Sequence, residues 1–195
     1  MDRTYTVEVM CDMLTRAHPR AEQSKRWLCE AMLEILKEKP YHQITVTEIC
    51  QRADLVRKTF YRHFTCKESV LIAIMDWMYE EFNEDVQAHQ LESCEIPLAY
   101  FTYWEKHKFF LKMAVENQMF SLINDQYIRY LQAMEPWFGE QVIVNELEKE
   151  YMRIMVAGGL WNMLRKWVVR GCMETPEEMA RMAITFFNLE DCQAR

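Results

Sequence analysis

The stretch TVTEICQRADLVRKTFYRHF, residues 45–64, predicts two short helices joined by a tight turn. Thr45 and Glu48 have the spacing of a capping box, in which each side chain accepts a hydrogen bond from the other residue's backbone at a helix start. Phe60 and Phe64 lie one turn apart in the second helix and predict a buried face, so the basic residues of that helix point elsewhere. This is the physical description of a helix-turn-helix, which places its second helix, the recognition helix, in the major groove of DNA.

Further helix signals flank this stretch on both sides. The hydrophobic period of residues 27–36 predicts a long helix that Ser24 caps and that ends before Pro40. Thr65 and Glu68 have the spacing of a second capping box, and we expect that box to open another long helix.

Charge is distributed unevenly along the chain, whose formal net charge is −7. Residues 52–67 contain five basic residues and one acidic residue, whereas residues 71–195 contain 11 basic and 20 acidic residues. A basic window on an acidic protein is typical of a surface that faces a polyanion, although a run of charge is usually only a solvated face. Together with the helix pattern, this window predicts double-stranded DNA as a partner.

The composition predicts an all-α protein with about nine helices. Four Gly and five Pro among 195 residues are too few for many strands joined by tight turns, and the glycine-loop motifs that bind nucleotides do not occur. Seven Cys without a C-x-x-C pair and five His without H-x-x-x-H spacing argue against disulfides and a metal site. We therefore expect no metal, no cofactor and no enzyme activity.

The same signals divide the chain into three parts. Residues 1–21 are interpreted as an N-terminal extension, residues 22–82 as a three-helix helix-turn-helix domain, and residues 83–195 as a helical domain for ligand binding and dimerisation. The uncharged run 154–164 is too short to span a bilayer, and the N-terminus lacks the apolar core of a signal peptide. We expect a cytoplasmic protein with no membrane partner.

The N-terminal residues resemble the TetR family of transcriptional regulators. The family pattern T-x-x-x-I-x-x-x-A, followed by R-x-T-[FY]-Y-x-x-F-x-x-K, matches residues 45–53 and 57–67, and the resemblance covers about residues 22–82. A weaker likeness to a subgroup of the family runs through Gly158–Trp161 and the segment 175–180. The resemblance implies a regulator that binds DNA as a homodimer and responds to a small ligand.

The resemblance also implies DNA contacts for eight residues. Threonines of the first short helix and a lysine beyond the recognition helix would touch phosphates, three residues of the recognition helix would face the groove, and a Tyr and a His would lie near the backbone. These residues are Thr45, Thr47, Arg57, Lys58, Thr59, Tyr61, His63 and Lys67. Pro40, Asp54 and Lys58 depart from positions that are usually small or Gly. Val56 replaces the usual capping Ser or Thr, so we expect a less well capped recognition helix.

For the second domain, the resemblance implies a cavity for a small, largely apolar or aromatic ligand. The candidate lining residues recur at helical spacing, which a plain core would also explain: Trp77, Tyr100, Tyr103, Trp104, His107, Phe110, Met113, Phe120 and Trp161.

A pair of glycines inside an apolar helix costs roughly 1 kcal/mol per Gly relative to Ala, so it needs a reason. We expect the close approach of a partner helix, with a bend beside a ligand or an ordinary break as alternatives. The last two helices would then form the dimer interface, and its candidate residues are Gly158, Gly159, Trp161, Met179, Met182 and Phe186.

The sequence therefore predicts a ligand-responsive repressor that binds a palindromic operator as a dimer. Two alternatives remain open. One is an activator or co-activator of the same family that acts through protein contacts. The other is a helical enzyme or small-molecule-binding protein without a DNA function.

Overall fold

The computed structural model describes residues 23–92, 94–133 and 145–187, and within these ranges the chain is all α, with no strand. The predicted fold class is confirmed. The described helices are α1 (Gln23–Glu38), α2 (Val46–Arg52), α3 (Arg57–His63), α4 (Lys67–Ala88), α5 (Ile96–Lys106), α6 (Lys108–Glu116), α7 (Phe120–Ala133), α8 (Glu146–Val169) and α9 (Pro176–Phe187). The predicted extension at residues 1–21 lies outside the described residues. None of the described helices has the length and apolar character needed to cross a membrane.

The chain divides into two compact units. The first comprises the described residues up to Glu81 together with Met113–Ile123, and the second comprises Phe82–Lys112 and the described residues from Asn124 onward. Packing thus groups the segment 113–123 with the N-terminal helices, although it is distant from them in sequence. The functional boundary at residue 82 remains a prediction.

The first unit is organised around α1, whose apolar period predicts one buried face. Leu28, Met32 and Leu33 are fully buried there, and α1 contacts both α2 and α3. The helix ends at Glu38, because Pro40 adopts an extended conformation and disfavours a helical residue before it. The predicted end of α1 is confirmed.

Two predicted helix caps are wrong, and for the same reason. Ser24 lies inside α1, where its Oγ is 2.7 Å from Nε2 of His63 instead of capping the helix. Helix α4 starts at Lys67, too late for a box between Thr65 and Glu68, and Glu68 accepts a hydrogen bond of 2.8 Å from the hydroxyl of Tyr41. In both cases a polar side chain that the local pattern assigned to a cap instead forms a hydrogen bond with a residue distant in sequence.

The second unit is held together by a contiguous aromatic cluster and by the packing of α9 on α5. Successive rings of the cluster have centroids 4.0–6.5 Å apart, and its members are Phe82, Tyr100, Phe101, Tyr103, Trp104, Tyr127, Trp161 and Trp167. Helix α9 opens with a reciprocal box between Thr175 and Glu178, as predicted. Aromatic pairs of this kind stabilise a core beyond their buried area alone.

Candidate nucleic-acid interface

The turn between α2 and α3 depends on one residue with a left-handed backbone. Asp54 has φ 53°, and the amide of Leu55 donates to the carbonyl of Cys50 at 2.9 Å, which closes the turn. Aspartate adopts this conformation more readily than most residues other than glycine. The departure of Asp54 from the family pattern therefore leaves the turn intact.

The buried faces of the two short helices orient the recognition helix α3. Phe60 is fully buried, Phe64 is nearly so, and their ring centroids lie 5.6 Å apart. Ile49 and Cys50 bury the facing side of α2. The capping box of α2 also forms, since the amide of Glu48 donates to Oγ1 of Thr45 and the amide of Thr45 donates to Glu48.

The outward face of α3 carries a hydrogen-bonded arginine. Arg57 donates to Oγ1 of Thr47 at 3.2 Å and to the hydroxyl of Tyr61 at 3.1 Å, and its guanidinium lies 5.7 Å from the centre of the Tyr61 ring. These contacts link the exposed sides of α2 and α3 through one cation. Lys58 and Tyr61 are exposed, and Thr59 is half-buried.

Three more of the eight predicted DNA-contact residues also make contacts within the first unit. Thr45 is engaged in its capping box, and His63 is half-buried against Ser24 and Arg62. Lys67 donates to the carbonyl oxygens of Tyr41 and Ile44, each at 3.0 Å, and its ammonium lies over the Tyr41 ring. Because an ammonium has three hydrogens, one remains for a phosphate. The DNA roles of these residues stay predictions.

Some cations in and near the basic window are paired with acidic side chains in the folded unit. Fewer of them therefore remain available on the surface than the sequence suggests. Arg52 pairs with Glu38 of α1 at 2.8 Å and with Glu34 at 3.4 Å, so its charge is neutralised locally. Lys39 pairs with Glu48 and, as the largest effect, holds the pKa of Glu48 down at about 2, with the Thr45 contacts adding to it. The cations left on α3 itself are Arg57, Lys58 and Arg62.

Sequence reasoning missed the most exposed large hydrophobic residue at this interface as a functional candidate. Val56 immediately precedes α3, is 68% exposed, and makes no side-chain cap. Together with Lys58, Thr59, Tyr61 and Arg62 it lines a hollow of about 550 Å³ on the outer face of α3. The sequence signal that could have identified Val56 is an apolar residue at a position where a polar one would cap the helix.

In the second unit, the predicted ligand-lining residues form a buried core. Tyr100, Tyr103, Trp104, His107, Phe110 and Trp161 are all buried there, while Trp77, Met113 and Phe120 are buried in the first unit. The ring of His107 lies 4.4 Å from that of Tyr103, and burial, with a smaller effect from Lys106, lowers the pKa of His107 to about 4. The hydroxyl of Tyr127 is buried and has no hydrogen-bond partner in the part of the chain described.

The second unit also carries a groove with accessible volume. A groove of about 680 Å³ runs between α5 and α9 and reaches the end of α4, with an apolar floor of Leu91, Leu98, Ala99, Ala180 and Ile184. Tyr103 is the member of the predicted lining set that reaches this groove. In the described residues no group of three or more His, Cys, Asp or Glu side chains is placed to hold a metal ion.

The predicted dimer interface stays a prediction, and its six residues differ in exposure. Trp161 and Met179 are only 5% and 4% exposed within the chain, which leaves little of either side chain for a partner. Gly159 is also covered, because a Cβ there would lie 2.5 Å from Cζ of Phe187 in the same chain.

The other predicted interface positions are accessible. Gly158 has open space where a Cβ would be, Met182 is half-buried, and Phe186 is 66% exposed. An exposed apolar stripe on α8, which sequence reasoning missed, continues from Gly158 toward the helix start. Its residues are Leu147, Tyr151, Ile154 and Met155.

Comparison with known proteins agrees with this geometry. Residues 28–74 match the family model for bacterial regulatory proteins of the tetR family, and residues 94–189 match the model for a transcriptional regulator C-terminal region, TetR_C_8. A search of curated protein sequences finds none that matches.

Three solved structures share the fold. The dihydroxyacetone kinase operon activator DhaS is 18% identical, with a TM-score of 0.57 over 86% of this chain and 96% of that one. The fatty acid degradation regulator FadR from Bacillus halodurans is 15% identical, with a TM-score of 0.52 over 89% and 98%. The Thermus thermophilus repressor FadR, solved with lauroyl-CoA, is 17% identical, with a TM-score of 0.54 over 88% and 96%.

The two family models match successive parts of the chain, residues 28–74 and 94–189, which together make up most of it, and the first of them contains the whole of the helix-turn-helix. The fold of the described residues agrees with both. This chain is therefore a DNA-binding transcriptional regulator of the TetR family.

Proposed function

We propose that this protein is a cytoplasmic repressor that binds a palindromic operator as a homodimer and is released from it by a small, largely apolar or aromatic ligand. The observation that carries the DNA-binding part is the outer face of α3. It presents Arg57, Lys58 and Arg62 to solvent, while Phe60 and Phe64 anchor the opposite face. A short helix held in this way keeps its exposed side chains in a fixed register against a groove.

The cations of α3 suit two kinds of contact. Arg and Lys donate to the O6 and N7 acceptors of guanine in the major groove, and they neutralise phosphates with release of counterions. In the protein without DNA, the hydrogen bonds of Arg57 to Thr47 and Tyr61 restrain its guanidinium between the exposed sides of α2 and α3. We expect this restraint to lower the entropy lost on binding.

The surface of α8 supports self-association. Its exposed apolar residues lie on one side of the helix and lead to the open flank of Gly158, where a partner helix would meet no side chain. A two-fold axis would place the same stripe on both copies, as closed dimers require. We expect sedimentation to show a dimer, which Gly158→Leu weakens; an unchanged dimer in that variant would remove Gly158 from the interface.

The second unit supports a ligand of apolar or aromatic character. Its buried rings would stack on such a ligand, and the Tyr127 hydroxyl would donate a hydrogen bond to an acceptor on it. Ligand binding would then favour a conformation whose two recognition helices are wrongly spaced for the operator. The Thermus thermophilus relative was solved with an acyl-CoA, which makes acyl chains a first class to screen.

The deciding experiment is selection of duplexes from a random pool with the purified protein, followed by gel-shift titration. Lys58→Ala should weaken binding to the selected duplex by about 1–3 kcal/mol per half-site and relax one base preference. Lys166→Ala, which removes another exposed lysine, from α8, is the matched control and should leave the affinity unchanged.

Two results would contradict the proposal. If no sequence is enriched, the protein is not an operator-binding repressor, and a co-activator acting through protein contacts becomes the better interpretation. If a reporter placed behind the selected site is switched on by the protein, rather than off, the direction of regulation is reversed.

A further inference from the structure

The hollow on the outer face of α3 combines an apolar wall with cationic neighbours. Val56 provides the apolar wall, and Lys58 and Arg62 provide the charge. A polyanion is the partner that the charge favours, and the exposed valine adds an apolar contact that a partner with a small apolar group could use.

Val56 has no visible role in stabilising the fold. It is 68% exposed, and its side chain makes no cap, so the amides of the first turn of α3 gain nothing from it. The residue whose apolar side chain usually packs against the first turn is the one before the cap, which here is the half-buried Leu55. A Ser or Thr at position 56 would stabilise the helix start better.

The backbone nevertheless holds Val56 firmly. Its carbonyl oxygen accepts the first helical hydrogen bond from the amide of Thr59 at 2.8 Å, and its φ and ψ of −77° and 148° are those of a helix-start residue. A β-branched side chain on a fixed backbone has few rotamers. The two methyl groups of Val56 are thus presented in a nearly fixed direction at the N-terminal end of α3.

We infer that Val56 reads the C5-methyl group of a thymine in each operator half-site. This inference rests on the proposed function, because it requires that α3 lie in the major groove. The N-terminal residues of a recognition helix are those that meet base edges, and thymine is the base that presents a methyl group there. Lys58, on the same hollow, would then face the neighbouring base pair and donate to a guanine if one is present.

The test uses the duplex selected from a random pool and replaces its thymines, one at a time, by deoxyuridine, which lacks only the methyl group. With the wild-type protein, one replacement in a half-site should weaken binding about fourfold, the equivalent of roughly 0.8 kcal/mol for one buried carbon group. Val56→Ala changes both protomers of the dimer and so both half-sites, and it should therefore bind the original duplex about sixteenfold more weakly and show no further loss on that replacement.

Two control variants guard against trivial explanations. Val56→Ser restores a helix cap, so it should unfold at the same or a higher temperature, yet it should be as insensitive to the missing methyl as Val56→Ala. Val169→Ala removes a similarly exposed valine, 57% accessible, from the end of α8 and should keep the full wild-type response to deoxyuridine.

The outcomes separate this inference from the proposed function. Specific binding with equal affinity for every deoxyuridine duplex overturns the role of Val56 and leaves the regulator intact. The role of Val56 is also overturned if Val56→Ala loses as much affinity on deoxyuridine replacement as the wild-type protein does, or if the selected half-site contains no thymine. Failure to select any duplex overturns both.

Discussion

The recognition helix of the first unit and the aromatic cluster of the second unit show two opposite ways of building a functional surface. Helix α3 is seven residues long, buries Phe60 together with its C-cap Phe64, and directs its charged side chains outward. The aromatic cluster draws its rings from four helices, α4, α5, α7 and α8, and keeps them buried, together with the Tyr127 hydroxyl, which has no hydrogen-bond partner among the described residues. An interface for a large, rigid partner is thus exposed in advance, whereas the predicted lining of a ligand site is buried.

The largest effect is expected at the ring that anchors α3. Phe60→Ala should lower the free energy of unfolding by about 3–5 kcal/mol, because it leaves a cavity under a helix too short to stand alone. Urea denaturation followed by circular dichroism measures this loss. Tyr61→Ala, at a neighbouring position that is 52% exposed, should cost less than about 1 kcal/mol while still weakening DNA binding. Equal losses would mean that α3 is not anchored by its buried face.

The second unit contains a buried histidine, His107, that should make its stability depend on pH. His107 has an unfolded pKa near 6.5 and a folded pKa of about 4, so its buried neutral form contributes stability that is fully present above pH 6.5 and is lost as the pH falls toward 4. The difference corresponds to roughly 3 kcal/mol. His107→Gln should flatten the dependence of unfolding free energy on pH in that interval.

The exposed His42 of the first unit gives the matched control for this pH effect. His42→Gln should keep the wild-type slope between pH 4 and 6.5. A slope that survives in His107→Gln and disappears in His42→Gln would reverse the assignment.

The smallest effect concerns two capping boxes of the same design, one in each unit. Thr45→Ala and Thr175→Ala should each cost about 1 kcal/mol of stability, since each leaves helix-start amides without a partner. Only Thr45→Ala should also reduce affinity for the selected duplex, because α2 supports α3. Gel-shift titration beside thermal melting measures both quantities, and a DNA defect in Thr175→Ala would show that the caps are not independent.

Sequence patterns predicted well wherever the cause of a structure lies within a few residues. The box of Thr45 and Glu48, the end of α1 before Pro40, and the start of α9 depend on hydrogen bonds and steric contacts between neighbours in the chain. The same patterns failed at Ser24 and Thr65. There, His63 and Tyr41, brought close by folding, changed the hydrogen-bond partners that local spacing predicted.

The candidate sites divide in the same way. The pattern around α3 identified the exposed residues of the recognition helix, because a buried Phe pair one turn apart leaves the other faces outward. It could not show that Arg52 is neutralised by α1 or that Lys67 is held by two carbonyl groups. For the second unit, aromatic spacing could not distinguish a pocket from a core, since both need the same side chains on the same helix faces.

The amino-acid sequence by itself determined the all-α class, the helix-turn-helix and the family, because capping, turn chemistry and hydrophobic period act over four or five residues. Only the tertiary structure decided which cations remain available on α3, that Val56 is left exposed beside them, and that Phe187 packs over Gly159. These features depend on contacts between residues far apart in the chain, and such contacts exist only once the helices have packed.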